Sequence, residues 1–313
     1  RPVAVGVVEH GGAAGQCPVE GSGPAGQEQV PDPVQGQVEL DRDPDPLRPG
    51  RSDDRARLGG HRADGTEVRL HLSTRLPGNL WMVELRRPAG PGSLPLDDGR
   101  APETVRLAAG ASAELLAPHI GRGKSSRLWI AALQLPVPVL DFLGAYGQPV
   151  RYGNHAQAWP LEYYQTVYAT TPGSAEMPSA GRAFTPEIIT ELVARGVAVA
   201  PVLLHTGVSS LEAHEPPFEE HYRVPWETAR QINGARAAGG RVIAVGTTVV
   251  RALETVATSA GEVGAGEGWT DLIITPERGV HAVDEHLFAL FDLAQRERVS
   301  KVAVHALLET VLA

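Results

Sequence analysis

The chain has 313 residues, a net charge of −9 and a single cysteine, Cys17. No stretch approaches the roughly 18 consecutive apolar residues of a membrane-spanning helix. One cysteine excludes a disulfide scaffold, and the acidic balance argues against a uniformly basic nucleic-acid-binding protein. The length favours two domains. The 35 glycines and 26 prolines make up nearly a fifth of the chain, so turns and irregular segments should be abundant.

Residues 1–63 lack the pattern of a folded unit. The first aromatic residue of the chain is Trp81, and the apolar residues of this segment are small or isolated, as in Val3 and Val5. Such a segment buries too little apolar surface to offset the entropy lost on ordering. We therefore predict that residues 1–63 are disordered or form a non-homologous segment, such as an out-of-frame translation. The segment also lacks a signal-peptide pattern, which favours a cytoplasmic protein.

Between residues 64 and 150, short apolar stretches alternate with turn residues. In Thr66–Thr74, Val68, Leu70 and Leu72 alternate with Arg69, His71 and Ser73. Four similar stretches follow: Leu80–Arg87, Thr104–Gly110, Ser112–Pro118 and Ser126–Leu135. Alternation of this kind is typical of half-buried strands, and closely spaced short strands indicate a small barrel or sandwich. We predict a β-barrel-like domain over residues 64–150.

After residue 150, helical segments alternate with almost continuous apolar ones. Thr185 can cap a helix that Gly196 would end, and Pro186 suits its first turn. Further helices are predicted over Trp226–Gly240 and after Gly246, and buried strands over Val197–His205, Arg241–Val245 and Thr270–Arg278. This order predicts an α/β domain with a largely parallel sheet over residues 151–313. The end of the chain, Val283–Ala313, reads as an atypical amphipathic helical tail.

The ends of the three predicted strands carry polar residues, at the edge where open α/β sheets bind ligands. They are His205-Thr206-Gly207, Gly246-Thr247-Thr248 and Thr275–Arg278. The two threonines at 247 and 248 can cap a helix or meet a ligand at its N-terminus. Arg251 and Glu254 follow on one face of that helix. Taken singly, these patterns are equally typical of a helix cap, a core histidine and a surface ion pair. A single cysteine without closely spaced histidines argues against zinc.

A long polar segment, Tyr163–Thr185, precedes these strands. It contains three tyrosines and many hydroxyl groups, and it ends at a predicted helix cap. Polar loops of this length inside a compact domain are usually functional. Its phenols and small residues suit a ribose, a base or an amino-acid ligand. The alternative is an irregular, well-packed connection.

Several motifs together carry a family resemblance. They are YQTVYA (164–169), GSAEMPSAGRAFT (173–185), LLHTGVSS (203–210), GGRVIAVGTTVVRALET (239–255) and GWTDLIITPE (268–277). With them, the sequence over about Thr66–Asp284 resembles the S-adenosylmethionine:tRNA ribosyltransferase-isomerase (QueA) family of queuosine biosynthesis. The form of the motifs looks like a divergent actinobacterial-type branch.

The resemblance implies a QueA-like two-domain α/β fold, in which a small β-barrel is inserted into the α/β domain. It also implies an activity: the ribosyl group of S-adenosylmethionine is transferred to 7-aminomethyl-7-deazaguanine in tRNA and isomerised to give epoxyqueuosine, with release of adenine and methionine. S-adenosylmethionine is then a substrate, and neither a metal nor another cofactor is expected. The implied partner is tRNA, with no membrane, and the expected oligomeric state is a monomer.

The resemblance further implies the residues of the site. The catalytic residues would be His205, Glu220, Arg251 and Glu254. The substrate-binding residues would be Tyr164, Thr166, Tyr168, Ser179, Ala180, Gly181, Thr206, Gly207, Gly246, Thr247 and Thr248. In this hypothesis His205 or Glu220 is the acid–base group, and the threonines at 247 and 248 hold ribose or a carboxylate. Arg251 pairs with the methionine carboxylate or with a tRNA phosphate.

Both ends of the chain depart from the family pattern. The N-terminal site segment of the family is not recognisable in residues 1–63, and a different sequence stands in Val283–Ala313. These departures keep a second hypothesis open. In it, the chain is a truncated or catalytically silent homologue that serves as a nucleoside- or RNA-binding module.

Overall fold

The structure is a computed structural model that describes residues 3–9, 55–90, 92–96, 98–119, 127–150, 165–167, 171–176, 180–181, 184–208 and 218–283, with the backbone alone for residues 3–9. The strands of these segments are β1 (Val3–Glu9), β2 (Arg57–His61), β3 (Glu67–Arg75), β4 (Leu80–Ala89), β5 (Gly92–Pro95), β6 (Glu103–Arg106), β7 (Ser112–Pro118), β8 (Leu128–Gln134), β9 (Val197–Leu204), β10 (Glu220–Val224), β11 (Arg241–Ala244) and β12 (Gly266–Thr270). The α-helices are α1 (Val139–Tyr146), α2 (Pro186–Ala194), α3 (Trp226–Ala237) and α4 (Thr247–Val256).

Six antiparallel strands close into a barrel. Their order is β3-β2-β6-β7-β8-β4, and pairing of β3 with β4 closes the ring, while β5 extends the sheet beyond β4. Helix α1 follows the barrel and packs Phe142 and Leu143 into its core. The sequence predicts a small barrel or sandwich, and the structure shows the barrel. Four of the five predicted strands are confirmed, whereas the one predicted over Thr104–Gly110 ends at Arg106 and is followed by a 3-10 helix, Ala108–Gly110.

Strand β3 is buried on both faces where it meets its neighbours. Val68, Leu70 and Leu72 lie in the barrel core, as their alternation predicts. The opposite face is covered too, because His71 lies 3.6 Å from a carboxylate oxygen of Glu84 and is fully buried. The same carboxylate accepts hydrogen bonds from two arginines, Arg86 (2.5 Å) and Arg127 (2.6 Å). His71, a polar residue of β3, therefore contacts a buried carboxylate inside the protein and does not face solvent.

The second sheet is mixed. Its order is β11-β1-β9-β10-β12, with β1 parallel to both β11 and β9. Strands β10 and β12 are antiparallel to their neighbours. The prediction of a largely parallel sheet is therefore not supported. The described residues between β9 and β10, 205–208 and 218–219, contain no helix of the kind that usually makes a parallel crossover.

Helices α3 and α4 cover one face of this sheet, and their apolar residues pack on β9, β10 and β11 in a second core. Helix α2 begins as predicted, because the hydroxyl of Thr185 accepts a hydrogen bond of 3.3 Å from the backbone of Ile188. The structure thus contains a barrel core and a separate sheet–helix core. No helix among the described segments is long and apolar enough to cross a membrane.

Two expectations differ from the structure, and a third concerns residues that the structure does not describe. Residues 1–63 contain two strands, β1 between β11 and β9 of the mixed sheet and β2 in the barrel, where a disordered or non-homologous segment is predicted. The strand predicted over Thr270–Arg278 is wrong, because β12 ends at Thr270 and the apolar residues after it are partly exposed. Residues 284–313 of the predicted helical tail lie outside the described residues.

Candidate active site at the end of the ninth strand

The segment after β9 is held by both structural units. The N–H of His205 donates to the carbonyl of His221 (2.8 Å), which extends the pairing with β10. The N–H of Gly207 donates to the carboxylate of Glu220 (3.0 Å). The N–H of Val208 donates to the hydroxyl of Ser73 on β3 of the barrel (3.0 Å). The His-Thr-Gly motif therefore lies where the mixed sheet meets the barrel.

Glycine at position 207 permits this close approach. An ideal Cβ at Gly207 would lie 2.6 Å from the hydroxyl oxygen of Ser73 and 3.2 Å from that of Thr74. Real Cβ atoms do not approach other heavy atoms at the shorter of these distances. Any larger residue would displace either the motif or the Ser73 side chain that binds the Val208 N–H. The sequence contains no pattern that would have assigned these barrel residues to the site.

Glu220 and Arg251 form a buried ion pair below the motif. One carboxylate oxygen of Glu220 binds the Gly207 N–H, and the other accepts from the guanidinium of Arg251. Arg251 also donates to three backbone carbonyls, those of Leu272 (2.8 Å), Phe218 (2.7 Å) and Thr270 (2.9 Å). A guanidinium carries five N–H donors, and these contacts use four of them.

These contacts give Arg251 an internal role. It joins helix α4 to β10 and to the end of β12, and its side chain is only 11% exposed. The predicted pairing of Arg251 with a methionine carboxylate or a tRNA phosphate stays a prediction. One N–H group of the guanidinium, outside the four contacts above, could donate to such a ligand. The geometry instead makes Arg251 the residue that orients Glu220.

The charge state of Glu220 follows from its surroundings. Burial raises the pKa of the Glu220 carboxyl, and the nearby charge of Glu176 raises it further. The charge of Arg251 and the Gly207 N–H act in the opposite direction. The pKa therefore lies above its ordinary value, which favours a carboxyl that can exchange a proton closer to neutral pH.

A second polar segment packs beside the motif. The N–H of Thr206 donates to the hydroxyl of Ser174 (3.2 Å), and the carbonyl of Thr206 accepts from the N–H of Ala175 (2.8 Å). The hydroxyl oxygens of Thr206 and Thr166 are buried, and the described part of the chain offers them no hydrogen-bond partner. Buried hydroxyls in this state are suited to binding a polar ligand.

The Gly246-Thr247-Thr248 motif lies at the start of α4, as predicted. Gly246 is the N-cap residue with φ +102° and ψ 154°, a conformation that glycine adopts far more readily than other residues. Because the N-cap residue is a glycine, it supplies no side-chain cap to the helix. An ideal Cβ on Gly246 would lie 3.3 Å from Cβ of Ala180, so the segment of Ala180 and Gly181 packs close to this turn.

Glu254 has a different position from the other predicted catalytic residues. It is buried, and one of its oxygens accepts from the backbone N–H groups of His281 (2.7 Å) and Ala282 (2.6 Å). Its other oxygen lies 3.4 Å from the His281 ring. These contacts fix the segment after β12 to helix α4. They make Glu254 a positioning residue, and its catalytic role stays a prediction.

The structure thus brings four of the predicted residues together: His205, Thr206, Gly207 and Glu220, with Arg251 behind them. Tyr164, Tyr168 and Ser179 lie outside the described residues. The segments described contain no group of three or more His, Cys, Asp or Glu side chains that could hold a metal ion. The chemistry available at the motif is that of an imidazole, a buried carboxyl and hydroxyl groups.

Comparisons with known proteins identify the family of this chain. The family model described as "Queuosine biosynthesis protein" matches residues 54–310. The chain therefore belongs to the queuosine biosynthesis protein family. The match extends beyond both ends of Thr66–Asp284, into the N-terminal segment and the C-terminal tail that were expected to be atypical.

Several similar proteins carry the name S-adenosylmethionine:tRNA ribosyltransferase-isomerase. The protein of that name from Moorella thermoacetica is 35% identical over 270 residues, which cover 82% of this chain and 74% of the relative. The one from Geobacter sulfurreducens is 36% identical over 249 residues, or 73% and 66% of the two chains. The chain was also aligned with the crystal structure of S-adenosylmethionine tRNA ribosyltransferase from Thermotoga maritima, to which it is 22% identical. The alignment covers 99% of this chain and 77% of the Thermotoga chain, with a TM-score of 0.29.

Proposed function

We propose that this chain is an S-adenosylmethionine:tRNA ribosyltransferase-isomerase. It would transfer the ribosyl group of S-adenosylmethionine to 7-aminomethyl-7-deazaguanine in tRNA and isomerise it, giving epoxyqueuosine, adenine and methionine. Family membership supports this activity. The observation that carries the proposal is the buried Glu220 carboxylate, which binds the Gly207 N–H on one side and Arg251 on the other.

The reaction needs groups that move protons. A base removes a proton next to the sulfonium, and an acid delivers a proton to the departing adenine. His205 is our candidate for this exchange, because an imidazole titrates near neutral pH and His205 belongs to the motif held by Glu220. Glu220 is the alternative acid–base group, since burial raises its pKa. Arg251 keeps that carboxyl in place.

The hydroxyl groups supply the polar contacts of the substrate. The buried hydroxyl of Thr206 lies in the same motif as His205 and is suited to a ribose hydroxyl. Thr247 and Thr248, at the first turn of α4, would bind ribose or the methionine carboxylate, because the N-terminus of a helix favours negative charge. The proposal needs no metal and no resident cofactor, and it places the protein in the cytoplasm as a monomer.

The direct test measures adenine and methionine released from S-adenosylmethionine in the presence of precursor-modified tRNA. The wild-type chain should release both in equal amounts. His205→Ala should lower kcat by about 10²–10⁴-fold, the usual contribution of a positioned acid–base group. The matched control is His61→Ala, which removes an exposed histidine of barrel strand β2 and should leave kcat unchanged.

Two results would contradict the proposal. Normal turnover by His205→Ala would remove this residue from the chemistry. Retained binding of S-adenosylmethionine without release of adenine by the wild-type chain would favour the second hypothesis, a catalytically silent nucleoside- or RNA-binding module. Family membership does not favour that hypothesis, because the relatives named above are enzymes by name.

A further inference from the structure

Three aromatic rings form a row across the mixed sheet. The ring centroids of His205 and His221 are 5.3 Å apart, and those of His221 and Trp269 are 5.6 Å apart in an edge-to-face arrangement. His221 is paired directly with Trp269 between β10 and β12, and the backbone of His205 bonds to that of His221. The row therefore crosses three adjacent chain segments.

The row lies on the more exposed face of these strands. Burial alternates along β10, where Tyr222 and Val224 face α4 and the second core while His221 and Arg223 face the other way. Trp269 is 41% exposed, and β12 is the last strand in the order of the described sheet. One end of the row therefore belongs to the His-Thr-Gly motif, and the other end reaches solvent at the sheet edge.

The charges beside the row are set by two exposed side chains. Arg223 and Glu267 are directly opposed between β10 and β12, next to His221 and Trp269. Glu267 lies 3.4 Å from Nε2 of His221. Burial lowers the pKa of His221 and the charge of Arg223 lowers it further, against the raising effect of Glu267. The imidazole is therefore a neutral ring at neutral pH, and Arg223 supplies a cation at the same surface.

We propose that the row His205–His221–Trp269 is a stacking surface for an unpaired base of the RNA substrate, adjacent to the base that reacts. This inference rests on the proposed function. Exposed aromatic rings are the usual partners of unstacked bases in RNA recognition. The row spans two strand spacings of about 4.8 Å each, so an RNA segment whose reacting base lies at His205 can place a neighbouring base on Trp269. A polynucleotide can contact both of its ends, and the phosphate next to the stacked base would meet Arg223.

The test compares Trp269→Ala with a matched control. Trp226→Ala removes another exposed tryptophan, which is 62% exposed at the start of α3 and lies under Arg230. Two arms are measured with the full chain. In one, a labelled RNA hairpin with the anticodon-loop sequence is titrated and its anisotropy is followed. In the other, S-adenosylmethionine is titrated by calorimetry.

Trp269→Ala should weaken RNA binding about 10-fold, within the range for one base stacked on an aromatic ring, and should leave the affinity for S-adenosylmethionine unchanged. Trp269→Phe should restore most of the RNA affinity, and Trp226→Ala should retain it. Unchanged RNA binding by Trp269→Ala would overturn the proposal. So would an equal loss in Trp226→Ala, or a loss confined to S-adenosylmethionine, which would assign the row to the adenine of that substrate.

These binding arms separate the inference from the proposed function. If the wild-type chain binds the RNA through Trp269 but releases no adenine, the stacking surface stands and the catalytic proposal fails. If the chain turns over normally while Trp269→Ala keeps its RNA affinity and its KM for tRNA, the catalytic proposal stands and the stacking surface is wrong. Urea unfolding of each variant checks that the exposed substitutions leave the fold intact.

Discussion

Replacing Arg251 by methionine tests how far the site depends on the ion pair with Glu220. Methionine keeps much of the volume but removes the charge and all four hydrogen bonds. Glu220 then keeps only the Gly207 N–H as a described hydrogen-bond donor, and its side chain is 14% exposed. Because burial already raises its pKa, loss of the opposing charge raises the pKa further. The variant should therefore lose stability as the pH rises through this pKa.

The size of the pH-dependent loss is bounded by the cost of protonating the carboxyl. We take the ordinary pKa of 4.5 for Glu220 in the unfolded chain. If the carboxyl stays protonated in the folded state, the free energy of unfolding falls by at most about 3.4 kcal/mol at pH 7 and about 0.8 kcal/mol at pH 5. The additional loss between pH 5 and pH 7 is thus at most about 2.6 kcal/mol. The three carbonyls left without their donor add about 1 kcal/mol each, independent of pH.

Urea unfolding at pH 5, 6 and 7 measures this difference against the wild-type chain. Arg230→Met is the matched control, because Arg230 is an exposed residue of α3 and its loss should cost less than about 0.5 kcal/mol at every pH. In the double variant Glu220→Gln/Arg251→Met, the pH-dependent part of the loss in unfolding free energy should disappear. The pH-independent part should remain. A pH-independent loss in Arg251→Met, or a pH dependence that persists in the double variant, would refute the reasoning.

Three other substitutions test separate contacts. Gly207→Ala should reduce kcat and lower the free energy of unfolding in urea by about 1–3 kcal/mol, because the new Cβ would lie 2.6 Å from the Ser73 hydroxyl. An unchanged kcat would contradict this prediction. Gly246→Ala should cost about 1–3 kcal/mol in thermal unfolding, because φ is +102°, and an unchanged Tm would show that the turn relaxes freely. Glu254→Leu should cost about 2–4 kcal/mol by leaving two backbone N–H groups without their acceptor, and a loss below 1 kcal/mol would argue against its positioning role.

Local patterns in the sequence predict elements whose stability is local. The Thr185 cap and the apolar face of β3 were predictable because capping and alternation act within a few residues. Strand β1 was missed because its short valine-rich sequence gains its partners only from β9 and β11, far along the chain. Strand β12 was misplaced because it contains two glycines, whereas Ile273 and Ile274 after it form an apolar pair that is partly exposed.

The candidate site also combines residues that local patterns predict with residues that only long-range contacts bring in. The polar strand end at His205–Gly207 could be read from the sequence, since strand ends collect ligand groups in α/β sheets. Ser73 could not, because it lies 135 residues before Val208, to which it bonds. Arg251 and Glu254 look like a pair on one helical face, yet each binds a different segment. Tertiary contacts, which helical spacing does not encode, decide the partner.

The position of β1 between β11 and β9 has a consequence for synthesis on the ribosome. Val3 pairs with Val197 and Arg241, so the first strand leaves the exit tunnel about 190–240 residues ahead of its partners. At ordinary elongation rates of about 5–20 residues per second, that interval lasts roughly 10–50 s. The barrel strands between β1 and β9 are translated during this time and can close first. The nascent chain therefore carries an open valine-rich strand for tens of seconds, when a holding chaperone would find it most accessible.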